Sequence, residues 1–528
     1  MMILRLAGDP SALSRLEPIN QMTEKGKSSR MPGLRIPTSL AKSMPFVVGL
    51  NLGTSILGNR RSCIVGSAVV VSIVVSSISL FPRFETSHRS LDTQVEAKLS
   101  LVRSTNKVAL SQDGPASLTG ITSCAASGCH GKPEGSQPAW KSSYRVWASR
   151  DPHAQSFSTL WNDRSKQIVG ILAESNGSAT NNPTQARPIA LDAKQHWLIL
   201  QERCILCHST AIVENASMGL AYTDGVSCQS CHGAAEHWLG EHIQKRWADK
   251  EKADLEKAWD YKKALGLHRL NDLTVRCDTC VGCHIGAPGK EVNHDLIAAG
   301  HPRLVFDFPR YMNMLPTHWD EAKPGGHALW AIGQRQSALA SLRLINHHAA
   351  NTSSQSAWPE FSDYNCLSCH RDLGAKGKSS DLYQSAQHPN WELGAWYFPG
   401  YLGWDLKKLD DEFARPYPNR QAVVDSTNEV AIPKLLTSEN SGAMFEAITV
   451  LPRTNNWDEL AQWHLTVNAI IAEMKPRFRD LSQLESLNEQ LMLELKRMPH
   501  EESLDSKLSL ILSKIRDHVR ELVNKGDQ

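Results

Sequence analysis

Ten of the twelve cysteines fall into five groups that end in Cys-His. Four groups have two residues between the thiols: Cys204-Ile-Leu-Cys207-His208, Cys228-Gln-Ser-Cys231-His232, Cys280-Val-Gly-Cys283-His284 and Cys366-Leu-Ser-Cys369-His370. The fifth, Cys124-Ala-Ala-Ser-Gly-Cys129-His130, has four. Two thiols at this spacing can each add across a vinyl group on one edge of a porphyrin, giving two thioethers. The histidine that follows then swings beneath the iron as its proximal ligand. The expected cofactor is therefore haem c, five groups covalently attached. The wider Cys124 loop is read as a haem site from its Cys-His ending and its company.

Other uses of paired cysteines fit less well. A random chain of this composition would hold on the order of 0.01 of the shorter motifs, so four are not accidental. Zinc knuckles use CxxC pairs but do not require histidine after every second cysteine. Disulfide frameworks require no such histidine either. Cys63 and Cys277 are left over; Cys277 overlaps the Cys280 motif and is expected to be a free buried thiol. Lys+Arg 57 against Asp+Glu 55 leaves a formal charge of +2 with no polybasic stripe, which argues against a nucleic-acid partner.

Five irons with proximal histidines call for closing ligands on their opposite faces, and 21 histidines are present to supply them. His153 follows Asp151-Pro152, where proline suits a first helical position. His237 and His242 are five residues apart, offset by about 140° on a helix, so one can face a haem while the other meets solvent; His242 is preferred. His294 and His301 flank Gly300 and Pro302, which prevent a long regular helix and let the two be aimed independently. The fifth closing ligand stays open among His237, His318, His327, His347, His348 and His388. His464 borders an apolar stripe and is read as a core histidine.

These residues require short, mostly helical carriers. Residues 1–60 are Ser-, Gly-, Pro- and base-rich and are expected to be disordered, or an overlong start with the true initiator at Met31 or Met44. Residues 61–83 contain an apolar run from Ile64 to Phe81 behind Arg60-Arg61, expected to be a membrane anchor or signal-anchor helix with its N-terminal side in the cytoplasm. Residues 84–118 read as a linker and 119–427 as the multihaem segment. Within it a charged helix is expected over about 243–265. Another is expected over 326–349, with Leu329, Ile332, Leu339, Leu342 and Ile345 on its apolar side and His347-His348 at its C-terminus. Residues 428–528 carry three apolar stripes: Trp457 to Met474, Leu484 to Met498, and Leu504 to Leu522. The fold class expected is mainly α with little sheet, plus a C-terminal helical bundle.

Residues of about 120–400 resemble the cytochrome c-554 family of multihaem cytochromes. The resemblance rests on the Cys124 to His130 site followed by Trp140 and Asp-Pro-His153-Ala. It rests also on Gly225-Val-Ser-Cys228-Gln-Ser-Cys231-His232-Gly with His242 behind it, and on His294-Asp-Leu-Ile-Ala-Ala-Gly-His301-Pro-Arg-Leu. It implies an all-α fold cored by haem, stacked haem pairs, mostly bis-histidine irons, and electron transfer linked to nitrogen-compound oxidation or other respiratory chains. The familiar family member carries four haems.

The expected function is electron transfer by a membrane-anchored, pentahaem c-type cytochrome, more a carrier than an enzyme, because a six-coordinate iron offers no open position to substrate. The rival is an oxidoreductase with one five-coordinate haem acting on a small nitrogen or oxygen compound. The expected setting is the bacterial inner membrane with the haem segment on the periplasmic side, and the expected partners are redox proteins or quinol-linked membrane complexes. Because only 24 residues separate the Cys204 and Cys228 motifs, those two haems are expected to be the closest pair.

Overall fold

A computed structural model describes residues 116–176, 193–215, 220–320, 324–353, 357–370, 391–437, 442–497 and 505–526. The proposed disordered start, Cys63, the apolar run of 64–81, most of the linker and His388 lie outside these residues. Among the described residues no helix is long and apolar enough to cross a membrane.

Short helices carry the first half. They are α1 (Ser143–Arg150), α2 (Asp163–Asn176), α3 (Ala193–Arg203), α4 (Ile205–His208), α5 (Cys228–His232), α6 (Lys245–Ala253), α7 (Leu255–Ala264), α8 (Leu273–His284) and α9 (His294–Ala298). Between α4 and α5 a hairpin pairs β1 (Ala211–Asn215) antiparallel with β2 (Leu220–Asp224), Ala211 opposite Asp224. The chain is thus mainly helical with little sheet. One expected helix, over about 243–265, is two: Asp254 leaves helical geometry and its carboxylate accepts the Lys257 N–H at 3.1 Å, restarting the chain as α7. Asn293 caps α9 in the same way, and α9 stops before Gly300, whose φ of 115° suits glycine alone.

The second half begins with α10 (Phe308–Met314) and α11 (Gly326–Ala350), then α12 (Leu367–His370), α13 (Lys407–Phe413), α14 (Arg420–Glu429) and α15 (Gly442–Ala447). It ends with α16 (Trp457–Met474), α17 (Ser482–Arg497) and α18 (Asp505–Gly526). α11 is the spine. The stripe expected on one side of it is only part of what it buries: Trp330, Ala331, Ala338, Ala340 and Leu344 are buried too, because helices pack against it nearly all round. Gln336 donates to Asp278 of α8 at 2.6 Å, Asn346 to Thr427 of α14 at 2.8 Å, and the Trp330 indole to Thr466 of α16 at 3.0 Å.

The three C-terminal stripes close on one another as their periodicity requires. Leu460, Trp463, Val467 and Ile470 of α16 share a core with Leu484, Leu487 and Leu491 of α17 and Leu508, Ile515 and Val519 of α18. Met498 and Leu504, at the stripe ends, lie outside the described residues. That core also takes in Trp330, Trp396, Tyr401 and Leu402, and α14 runs across residue 428, so packing is continuous where the sequence changes character. By contrast, among the described residues the segment around the Cys204 site has only small clusters. One is Leu160, Val169, Leu200 and Ile205; another is Ile168, Leu172, Leu296 and Ala299. A segment with so little side-chain core depends on another source of apolar contact.

Candidate haem sites

Four of the five motifs sit on a single helical turn. In α4 the His208 N–H donates to Cys204 O at 3.1 Å; in α12 the His370 N–H donates to Cys366 O at 2.9 Å. Positions i, i+3 and i+4 of a turn lie on one face, so both sulfurs and the imidazole are presented together. α5 and the last turn of α8 do the same for Cys228–His232 and Cys280–His284. The Cys124 site is a loop. Cys129 and Gly131 both donate to Ala126 O, at 2.9 and 3.0 Å, which folds the two extra residues outward. A Cβ at Gly131 would collide with Ala125 O, so glycine is required behind His130.

Each of three motif histidines faces a second imidazole. Ring centroids of His130 and His242 are 6.3 Å apart with planes at 13°, those of His370 and His294 6.3 Å at 21°, and those of His284 and His153 6.0 Å at 73°. Two imidazoles bound to opposite faces of one metal ion, at about 2 Å per bond plus about 1.1 Å from nitrogen to ring centre, are about 6.2 Å apart. The spacing fits a shared iron at each pair. The other two motif histidines have electrostatic neighbours of the same kind. Burial pushes the His232 pKa down to about 4, and among its charged neighbours His318 contributes most. Burial also lowers the His301 pKa, with His208 the foremost of its charged neighbours.

The remaining ring nitrogens are disposed as metal ligands require. Nδ1–H donates to a carbonyl in His130 (Trp140 O, 2.9 Å), His208 (Ser156 O, 2.9 Å), His242 (Leu239 O, 2.6 Å), His301 (Pro302 O, 2.8 Å) and His318 (Pro316 O, 3.1 Å). A carbonyl only accepts, so the proton is on Nδ1 and the Nε2 lone pair is available. In His153 the acceptor is Asp151, which takes both Nδ1–H at 2.8 Å and the His153 N–H at 3.0 Å. Burial holds His284, like His232, at about 4, so both are neutral imidazoles at pH 7, the form a metal binds.

Several other histidines behave differently. His348 has both nitrogens engaged by carboxylates, and His464 has both engaged by Asn488 and Asn468. His327 lies against Glu473 of α16. His347 has the His348 ring as its aromatic neighbour, 6.3 Å away. His348, a candidate for the fifth closing ligand, is buried with both ring nitrogens bonded. Cys277 is fully buried, as expected of a spare thiol, and burial raises its pKa.

Sulfur contacts link motifs that are distant in sequence. The Cys124 sulfur is hydrogen-bonded to Cys228, and the Cys207 sulfur to Cys283. The hairpin brings the end of α4 beside the start of α5, where Ser227 N–H donates to Thr210 Oγ1 at 2.6 Å, and Gly225 brings the Cys228 turn against His153: Val226 N–H donates to His153 O at 3.0 Å, and a Cβ at Gly225 would strike that carbonyl. Cys231 is in turn an electrostatic neighbour of Cys280 and Cys283. Arg203, beside Cys204, donates to Asn293, beside His294, at 2.8 Å. Sequence reasoning missed Asp151 and Arg203 as supports; Asp151 was legible as the acid two residues before a ligand, Arg203 was not. Among the described residues no three Cys, His, Asp or Glu side chains gather as a bare metal ion would require.

Residues 123–233, which hold the first three Cys-His motifs and Asp-Pro-His153, match the family model described as cytochrome c554 and c-prime. This segment belongs to the cytochrome c554 family. The chain is accordingly a c-type cytochrome, an electron carrier that binds haem c covalently. The match is shorter than the resemblance over 120–400, and leaves the Cys280 and Cys366 motifs beyond it. No curated protein and no solved structure matches the chain.

Proposed function

We propose that this cytochrome carries five haems, each held between two histidines. The pairs are His130 with His242, His208 with His301, His232 with His318, His284 with His153, and His370 with His294. The observation that carries the reading is the 6.0–6.3 Å separation of three motif histidines from a second ring. His318 thereby becomes the fifth closing ligand. Bound haem c supplies a one-electron couple. The chain's own residues attach it through the ten paired cysteines, orient the imidazoles through Nδ1–H bonds, and tune potential through burial and nearby carboxylates. Sulfur contacts and the Arg203 bridge support a spatial order of Cys124, Cys228, Cys280, Cys204 and Cys366 sites. An order that differs from the sequence order gives a path with two distinct ends, suited to accepting electrons at one and delivering them at the other.

The apolar run behind Arg60-Arg61 supports anchoring in a bacterial inner membrane with the haem segment on the periplasmic side. Partners there are redox proteins or quinol-linked membrane complexes. Pyridine haemochrome assay against protein mass is expected to give five haems per chain, with only low-spin signals in the oxidised electron paramagnetic resonance spectrum. A count of four, or a high-spin haem in the native protein, would overturn the reading and favour an enzyme with an open iron. Membrane fractions washed at alkaline pH should retain the haem stain.

A further inference from the structure

His348, in the last turn of α11, lies between two acids. Its Nδ1 is 2.8 Å from Asp363 Oδ2 and its Nε2 is 2.6 Å from Glu291 Oε2. Ionised carboxylates only accept, so both ring nitrogens donate and the side chain is an imidazolium. Burial opposes that charge, yet the two carboxylates outweigh it and push the pKa up to about 10. The acids belong to different segments. Glu291 is three residues before His294, and Asp363 is three residues before Cys366.

One cation thus ties together the two stretches that bring His294 and His370 face to face at 6.3 Å. Other groups reinforce the junction. Glu360 accepts the His294 N–H at 2.8 Å and the Ser362 N–H at 2.9 Å. Arg420 of α14 closes the end of α11 by donating to the carbonyls of His348, Ala349 and Asn351, at 3.1, 3.1 and 2.7 Å. Charged neighbours of the two acids are Arg203 and His347 for Glu291 and Glu360 for Asp363. With the imidazolium gone, the buried Asp363 carboxylate and the partly exposed Glu291 carboxylate would face one another without a cation, a repulsion that favours separation of their segments.

We propose that His348 is a positioning residue for the Cys366–Cys369–His370 site, holding His294 opposite His370 through Glu291 and Asp363. The proposal rests on the reading of His294 and His370 as the two ligands of one haem. The test uses the haem-loaded, full-length protein and compares His348→Gln and Glu291→Gln with His294→Ala and with Cys366→Ser/Cys369→Ser. His348→Gln and Glu291→Gln should each convert one haem from low-spin to high-spin and displace one potential. The double variant His294→Ala/His348→Gln should lose no more low-spin signal than His294→Ala alone. If His348→Gln does not accumulate, Glu291→Gln, at a less buried position, decides. The clamp is overturned if His294→Ala yields a high-spin haem while His348→Gln and Glu291→Gln leave every haem low-spin and every potential in place. If instead Cys366→Ser/Cys369→Ser leaves the haem count unchanged, or His294→Ala leaves the spectrum low-spin, the underlying ligand pair is wrong, and the clamp falls with it.

Discussion

The ring of His242 lies 6.3 Å from that of His130 with their planes 13° apart, although 112 residues separate them in the chain. His237, five residues earlier, has no such ring contact among the described residues. Replacing His242 with alanine should therefore turn one haem high-spin, whereas His237→Ala should leave the spectrum unchanged. His318→Ala should reproduce the His242→Ala effect at a second, separately titrating haem. Electron paramagnetic resonance of the oxidised protein checks all three, and a low-spin His318→Ala variant would return the fifth ligand to the open histidines.

Asp151 fixes His153 by two bonds and draws on its Nδ1 proton, which makes the imidazole a stronger donor. A more basic ligand favours the oxidised metal. Asp151→Asn keeps the shape and removes the charge, so it should raise the potential of one haem while the number of covalent haems stays the same. Potentiometric titration followed in the visible bands is the measurement, and an unchanged set of potentials would reduce Asp151 to a turn-capping role.

Arg303 and Asp458 form a bidentate pair at 2.9 and 3.0 Å, linking the loop after His301 to the start of α16. The Asp458 carboxylate is 4% exposed and Arg303 is well covered too. Removing one partner of such a pair strands the other charge, at a cost of about 3–5 kcal/mol. Asp458→Ala should lower stability by that amount in urea, as read by circular dichroism. Lys407→Ala, which breaks the exposed pair with Asp411, should cost under about 1 kcal/mol.

The sites were legible because covalent attachment requires paired cysteines followed at once by histidine, a combination that zinc knuckles and disulfides do not demand. The terminal helices were legible because α16, α17 and α18 bury one face each and so repeat apolar residues at helical period. α11 was legible only in part, since a helix covered nearly all round has no single apolar face to betray its neighbours. The break at Asp254 was hidden because a capping acid looks like one more charge in a charged helix. The proposed pairing of His318 with His232 was not legible, because 86 residues separate them and nothing local marks it. The contacts of Cys124 with Cys228, and of Cys207 with Cys283, escaped for the same reason: 104 and 76 residues separate the partners, and nothing local marks them.

The two acids around His348 also make a prediction about alkaline stability. The folded pKa is raised to about 10 from an ordinary 6.5, so the folded protein holds this proton more tightly than the unfolded chain. The resulting stabilisation is complete below pH 6.5, shrinks as pH rises, and is gone once pH passes through about 10. His348→Gln cannot titrate. The gap in melting temperature between the native protein and this variant should therefore be widest at pH 6 and should close toward pH 10.5, about half a unit above the folded value. Differential scanning calorimetry at a series of pH values measures it. A gap independent of pH would mean that His348 contributes by its shape and not by its charge.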